Sequence, residues 1–392
     1  MPSRSLRCRI LLVTNWIGWA GAETQLAHLA IGLSSAGHSV TLLAIGTIAR
    51  DVRPLHEAGV EIVALGATRP PAKAWRLPRL VRLARDADVV HCTGWDASLW
   101  GRLAAVLARR PVLVTEHTPG RSLQVTDEGA SRERLIALHN KLLDRFTYAT
   151  IAVGAWQIDL LEKEGVRAES IVRVPNAVPV AELRERAAAG PSRESLGVPA
   201  DAALLVHVAR FSMQKGQSTT LRAAARLREQ GRDVRVAFVG EGGGEARVRA
   251  EAEALGAGEW ALFLGRRDDV PRLLALADLS VLPSTGEGLP MSQIESLAVG
   301  TPVVATDVGD VRWLLESTGG GICVPAGEEE AFYAACSELL ASPERREELA
   351  AAALAAAPQL DAPLMVARYE RLLTAAAASE PLEGATSSWP QA

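Results

Sequence analysis

Two acids and two bases define the chemistry this chain can do. Glu287 and Glu295 stand eight residues apart, and Gly286, Gly288 and Pro290 surround the first of them. Arg210 and Lys215 stand five residues apart, just ahead of Gly216. A guanidinium can grip two phosphate oxygens at once, while an ammonium acts as a compact point charge. A carboxylate accepts hydrogen bonds from sugar or ribose hydroxyls. A glycine turn feeding a helix leaves backbone N–H groups that suit a phosphate. The combination points to a phosphorylated, hydroxyl-rich ligand. Taken singly, each pair also fits solvated surface charge.

The elements that must hold these groups can be read from the apolar runs. Asp278–Leu282 reads as a strand, the Pro283–Gly288 turn follows, and a helix covers about 289–298, stopped by Gly300 and Pro302. Val303–Thr306 reads as the next strand. Ala202–Ala209 is a strand ending at Arg210, and a helix starts near Gln217, just past Lys215. Arg235–Val239 ends in a glycine cluster, Gly240-Glu241-Gly242-Gly243-Gly244. The first half repeats the pattern. Cys8–Thr14 is a strand, Asn15–Ala22 a loop with two glycines and two tryptophans, and about 23–36 a helix. Strands near Val40–Ala44, Val60–Leu65, Val89–Cys92 and Val112–Thr115 follow, mostly separated by helical segments. Such alternation argues for parallel α/β domains, whose ligands bind at the carboxyl ends of the strands. His91 and His117 each sit at such an end. A strand-end histidine is more often structural than catalytic.

Composition narrows the class. At 392 residues the chain is long enough for two or three domains. No apolar run reaches the roughly 18 residues of a membrane span, and residues 10–14 are too short for a leader, so a cytoplasmic protein is expected. Cys8, Cys92, Cys323 and Cys336 match no metal spacing. Residues 1–180 carry a net charge of +6 and the remainder −10. A basic first half suits an anionic membrane surface, a phospholipid-linked acceptor or an acidic glycan. No nucleic-acid motif accompanies the charge. Residues 69–85 place Leu77, Leu80, Val81 and Ala84 on one helix face, with Arg76, Arg79, Arg82 and Arg85 beside it and Trp75 at the entry. That pattern fits either a helix on an anionic membrane or an ordinary surface helix with extended arginines. Asp86-Ala87-Asp88 precedes a strand, which is the wrong end of a sheet for a metal site.

The string Glu287-Gly288-Leu289-Pro290-Met291-Ser292-Gln293-Ile294-Glu295, followed by Gly300-Thr301-Pro302-Val303-Val304-Ala305-Thr306, closely resembles the donor-site signature of the retaining GT-B glycosyltransferases of family 4. Other stretches agree in order across about 8–375. Gly18–Glu23 resembles the family's Gly-Gly-Ala-Glu turn, with Ala20 replacing the first glycine. Ile151–Gly154 resembles a strand ending in Val-Ser, with Gly154 for serine. Val174–Pro179 resembles Ile-Pro-Asn-Gly-Val-Asp, with Ala177 and Pro179 departing from it. Arg210 and Lys215 resemble the family's phosphate clamp, and Gly309-Asp310 stands where the family has Gly-Gly.

The resemblance implies a GT-B fold, two doubly wound Rossmann-like domains with an interdomain cleft. The expected parts are an acceptor domain over 1–180, a nucleotide-sugar domain over 181–361, a helix over 362–377 crossing back, and a disordered tail over 378–392. Residues 176–200 are the expected connection. The implied reaction is retaining hexosyl transfer from a nucleotide-diphosphate sugar, UDP favoured, to a glycan, lipid-linked or small-molecule acceptor, with no cofactor or metal required. Arg210 and Lys215 would hold the diphosphate, Glu287 the sugar hydroxyls and Glu295 the ribose. Gly288, Leu289 and Pro290 would offer backbone to the phosphates. Gly21 would approach the β-phosphate, Gly240 would wall the nucleotide, Arg266 would read the base through its main chain, and His117 would lie beside the transferred sugar. Catalysis then falls to Arg210, Lys215, Glu287 and His117. Two other readings share this fold: a sugar-nucleotide 2-epimerase or hydrolase, which turns over donor without acceptor, and a non-catalytic nucleotide-sugar binder.

Overall fold

A computed structural model describes residues 7–117 and 138–386. Its contacts divide the chain into two units. One comprises Met1–Asn176 with Ala362–Ala392, the other Ala177–Asp361.

The first unit is built on a seven-stranded sheet. In chain order its strands are β1 (Arg9–Thr14), β2 (Ser39–Ala44), β3 (Glu61–Ala64), β4 (Val89–Thr93), β5 (Val112–Glu116), β6 (Thr147–Ala152) and β7 (Ile171–Arg173). They lie in the order β3-β2-β1-β4-β5-β6-β7, all pairings parallel. The runs RILLVT and VVHCT are buried almost throughout because helices cover both faces of a parallel sheet. The helix Pro70–Asp86 turns Leu80, Val81 and Ala84 inward and leaves Arg76, Arg79, Arg82 and Arg85 in solvent. Burying Leu80 alone stabilises the fold by roughly 2 kcal/mol. Asp88 is held by Arg9 (2.7 Å), at the amino end of its strand. The helix Ala362–Ala377 packs on the helix Gly21–Ser35, where any side chain at Gly32 would collide with Val366.

The second unit carries six strands: β8 (Ala203–Val208), β9 (Val234–Val239), β10 (Ala261–Phe263), β11 (Leu279–Leu282), β12 (Val303–Thr306) and β13 (Gly321–Val324). Their order is β10-β9-β8-β11-β12-β13, again parallel. Strand order reverses between β1 and β4 in one sheet and between β8 and β11 in the other. Such reversals open a crevice at the carboxyl ends of the strands, where ligands of open α/β sheets bind.

Two expectations are corrected. Residues 176–200 are not a bare connection. The helix Val180–Ala188 belongs to the second unit, where Arg184 donates to the Ala298 carbonyl (2.9 Å) and Arg272 to those of Ala187 (3.2 Å) and Pro191 (2.9 Å). Val180, Leu183 and Ala187 are buried on one face of this helix, and the arginine bonds fasten it further. The tail over 378–392 is also not wholly irregular. A short helix forms over Leu382–Thr386, with Ala385 buried; residues 387–392 lie outside the described residues.

Candidate active site

In the second unit, the loop after β8 carries Arg210 and Lys215 and the loop after β11 carries Glu287. These two strands flank the reversal point, so the loops emerge side by side. Close approach is built into two glycines. Gly216 has φ +71°, and a Cβ there would lie 2.1 Å from the Pro283 carbonyl oxygen. Gly309 has φ +60°, and a Cβ would lie 2.3 Å from the Gly288 oxygen and 2.5 Å from that of Glu287. Only glycine tolerates both the conformation and the contact. Further links tie the loops: Thr285 N–H donates to Gln214 O (2.8 Å), and the Gln214 side chain donates to Gly286 O.

The charges are arranged tightly. Lys215 Nζ donates to both Glu287 oxygens, at 2.6 and 2.7 Å. Ser284 Oγ donates to Oε1 at 2.6 Å. The Glu287 side chain is 6% exposed and that of Lys215 22%. A carboxylate this buried needs a cation, and Lys215 lies within reach. Sequence reasoning assigned these groups to two different parts of a ligand; in the structure they are bonded to each other. Arg210 behaves differently. Its carbonyl accepts from Gln217 Nε2 (3.0 Å), but its guanidinium is exposed and has no partner among the described residues.

The remaining second-unit candidates form the surroundings. Gly288 O accepts from Asp310 N–H (2.9 Å), which holds the turn Gly288-Leu289-Pro290 against the next loop. Asp310 itself is 3% exposed, so the departure from Gly-Gly places a buried acid beside this turn. Gly240 N–H donates to Gly265 O (2.8 Å), which brings the Gly240 turn next to Arg266. Glu295 lies on the helix Met291–Ala298, and burial pushes its carboxyl up to about 7 despite the opposing charge of Arg186. His207, on β8, bonds Thr220 Oγ1 through Nδ1 (2.9 Å), and burial next to Lys215 pushes its imidazole down to about 3. No group of three His, Cys, Asp or Glu that could hold a metal ion occurs among the described residues.

In the first unit, Gly21 opens the helix after the β1 loop. Ala20, at its N-cap, has φ −72° and ψ 164°, ordinary extended backbone, so alanine there is unstrained. Trp19 lies under the Arg50 guanidinium (4.7 Å). His117 is the first residue beyond β5. It is partly exposed, yet desolvation pushes its imidazole down to about 4, with the nearby Asn176 side chain acting in the opposite direction. It is therefore neutral at pH 7. His91, by contrast, is 1% exposed and bonds Thr115 Oγ1 (2.7 Å), which in turn bonds Tyr369 OH (2.9 Å). His91 is a core group. Gly154 donates its N–H to Gln157 Oε1 (3.0 Å), so that position contributes backbone.

Sequence reasoning gave no role to Ser284, Gln214, Gln217, Gln157 or Asn176. Ser284 carried a local signal, a hydroxyl three residues before Glu287 in the same turn, and Asn176 sits in the Val174–Pro179 stretch that resembles a family motif.

Comparison with known proteins places the chain in a family. Residues 190–355 match the family model for glycosyl transferases group 1, and residues 20–177 match that for a glycosyl transferase 4-like domain. The chain is similar to D-inositol 3-phosphate glycosyltransferase of Thermobispora bispora, at 30% identity over 311 residues, covering 74% of this chain and 71% of the relative. It is similar to the GDP-mannose-dependent alpha-(1-6)-phosphatidylinositol dimannoside mannosyltransferase of Mycobacterium tuberculosis, at 27% over 363 residues, covering 86% and 89%. Among solved structures it resembles HepE of Anabaena in complex with UDP and glucose, with a TM-score of 0.78, 22% identity, and coverage of 92% of this chain and 97% of that one.

Proposed function

The chain belongs to the group 1 glycosyl transferases, enzymes of GT-B fold that use nucleotide-sugar donors, and from that premise we propose that it transfers a hexosyl group with retention from a UDP-sugar to a lipid-linked or glycan acceptor. The observation that carries this reading is the triple bonding of Glu287 by Lys215 and Ser284, beside an unpartnered Arg210, at the reversal point of the second sheet.

The groups then act as follows. Lys215 has three N–H donors and gives two to Glu287, so one remains for a phosphate oxygen. Arg210 adds a fork to the same diphosphate. The anomeric carbon–oxygen bond to the diphosphate breaks, and the acceptor oxygen bonds that carbon on the same face. The acceptor proton passes to the departing diphosphate oxygen. Negative charge grows on the leaving group, and fixed cations stabilise it without reorganising. Losing one such donor costs about 3 kcal/mol, or about two decades in rate. Glu287 accepts from a sugar hydroxyl and Glu295 from the ribose. Gly288-Leu289-Pro290 faces the phosphates, Gly240 and Arg266 border the base, Gly21 approaches the β-phosphate and His117 faces the transferred sugar.

The preference for UDP over GDP is supported by the UDP complex of HepE and opposed by the GDP-mannose dependence of the mycobacterial relative. A lipid-linked acceptor is supported by the helix Pro70–Asp86. Trp75 is 86% exposed there, and the guanidinium groups of Arg76, Arg79, Arg82 and Arg85 have no partner among the described residues. In this reading the helix rests on an anionic membrane, while no helix among the described residues is long and apolar enough to cross one.

The deciding experiment is thermal stabilisation by UDP, GDP and ADP and their sugar conjugates, with wild type and Arg210→Ala. A ligand at a hundred times its Kd adds about 2.7 kcal/mol. Stabilisation by the UDP series, lost in Arg210→Ala, is expected. Stabilisation by GDP alone would overturn the base assignment, and none by any nucleotide would overturn the whole reading.

A further inference from the structure

His117 owes its position to a side chain from a different strand connection. β5 ends at Glu116, opposite Ala152, the last residue of β6. Past that point the two backbones have no ladder to join them. Gln157, 2% exposed at the start of the helix Trp156–Lys163, supplies the missing bonds. Its Nε2 donates to the Glu116 carbonyl (2.9 Å), and its Oε1 accepts from Val153 N–H (2.7 Å) and Gly154 N–H (3.0 Å). The amide orientation is fixed by these partners, because the reverse would set an NH2 group against two N–H groups. The carbonyl it grips belongs to the residue directly before His117.

We infer that Gln157 is a positioning residue for His117, acting on sugar transfer only through where it places that imidazole. The inference rests on the reading that His117 faces the transferred sugar. No glutamate, leucine or alanine can do what this amide does near neutral pH, since the position must donate to one carbonyl and accept from two N–H groups.

The test uses the full chain and the release of UDP from UDP-glucose, or of GDP from GDP-mannose where GDP is the stabilising base, with water as acceptor. The variants are His117→Ala, Gln157→Leu, the double variant and Gln157→Glu. Gln157→Leu should lower kcat about tenfold while KM for the donor stays within about twofold, since a small misplacement of a reacting group is costly. In the His117→Ala background the same change should cost less than about twofold. Gln157→Glu should regain activity as pH falls from about 8 to about 5.5, where its carboxyl takes a proton and can again donate to Glu116. The wild type should show no such rise, and His117 remains neutral across that window. Full additivity of the two single variants would overturn the inference alone. His117→Ala with unchanged kcat would overturn the reading beneath it. Should Gln157→Leu not fold, the pH profile of Gln157→Glu decides: a flat profile refutes the inference.

Discussion

Removing Lys215 should destabilise the protein as well as silence it. In Lys215→Ala the Glu287 carboxylate, 6% exposed, keeps only the Ser284 hydroxyl of its charge-stabilising bonds. Stripping the partner from a buried ion pair costs about 3–5 kcal/mol. The Lys215 side chain is 22% exposed, so water can reach the vacated place, and the low end, about 3 kcal/mol, is expected. In a unit of this size each kcal/mol moves the midpoint by about 2–4 °C, so the drop should be about 6–12 °C. Glu287→Gln should cost less, because an amide oxygen still accepts from the lysine. The double variant Lys215→Met/Glu287→Gln leaves no buried charge and should recover at least about 2 kcal/mol relative to the sum of the single changes. Calorimetry or denaturant titration of the four proteins reads this coupling. UDP release from UDP-glucose, read beside it, should stay down by about two decades or more in every variant lacking Lys215. Recovered stability with activity still lost separates the two roles of the pair. A Lys215→Ala midpoint equal to wild type, or a coupling near zero, would show that the pair does not form as described.

Glu295 keeps its proton to about pH 7, whereas an unfolded glutamate loses it near about 4.3. Its contribution therefore opposes stability increasingly as pH rises through that window. Glu295→Gln should raise the unfolding free energy at about pH 8 by on the order of 1 kcal/mol after solvent screening, with no gain at about pH 4.5, while weakening nucleotide stabilisation. Equal gain at both pH values would refute it. The acid limb has the opposite sign. His91 and His207 are held near about 3 in the fold against about 6.5 unfolded, so their contribution is present above pH 6.5 and is lost as pH falls toward 3. His91→Gln should flatten that decline in an acid denaturation series, and an unchanged slope would count against the assignment. Affinity for vesicles containing anionic lipid, read by cosedimentation, should fall by about two to three decades when Arg76, Arg79, Arg82 and Arg85 are replaced by glutamine, since each cation near such a surface is worth about 1 kcal/mol. Binding that survives the change, or equal binding to neutral vesicles, would remove this helix from the membrane.

Most strands were legible because a parallel sheet covered on both faces demands short apolar runs, and the segments Val303–Thr306 and Val89–Cys92 are such runs, whereas the short edge strands β7, β10 and β13 were not read. Placing Arg210, Lys215, Glu287 and His117 at the carboxyl ends of strands followed from the same reading. The contacts those residues make were not legible. Lys215 and Glu287 are 72 residues apart, and Gln157 reaches back 41 residues to Glu116. No helical or strand period records a pairing at that separation. The segment Val180–Ala188 misled for a related reason: its buried apolar face is only Val180, Leu183 and Ala187, and the arginines at 184, 193 and 272 that bond carbonyl groups in it and its surroundings carry no mark in sequence of what they will bond.

Glycine is the exception, and it shows where long-range contact does leave a trace. Gly216 and Gly309 look like turn residues, and each has a positive φ that a turn would explain. Yet the atoms that forbid a side chain at Gly216 belong to Pro283, and those at Gly309 to Glu287 and Gly288. Both glycines thus record the approach of their loops to the loop that carries Glu287. An alanine at either position would meet backbone, which cannot rotate away as a flexible side chain could. The loop would have to move as a whole. Moving the Gly216 loop carries Lys215 with it, and moving the Gly309 loop displaces the Gly288 carbonyl that Asp310 holds. The ion pair at the centre of the site therefore depends on two residues that have no side chain with which to take part in it.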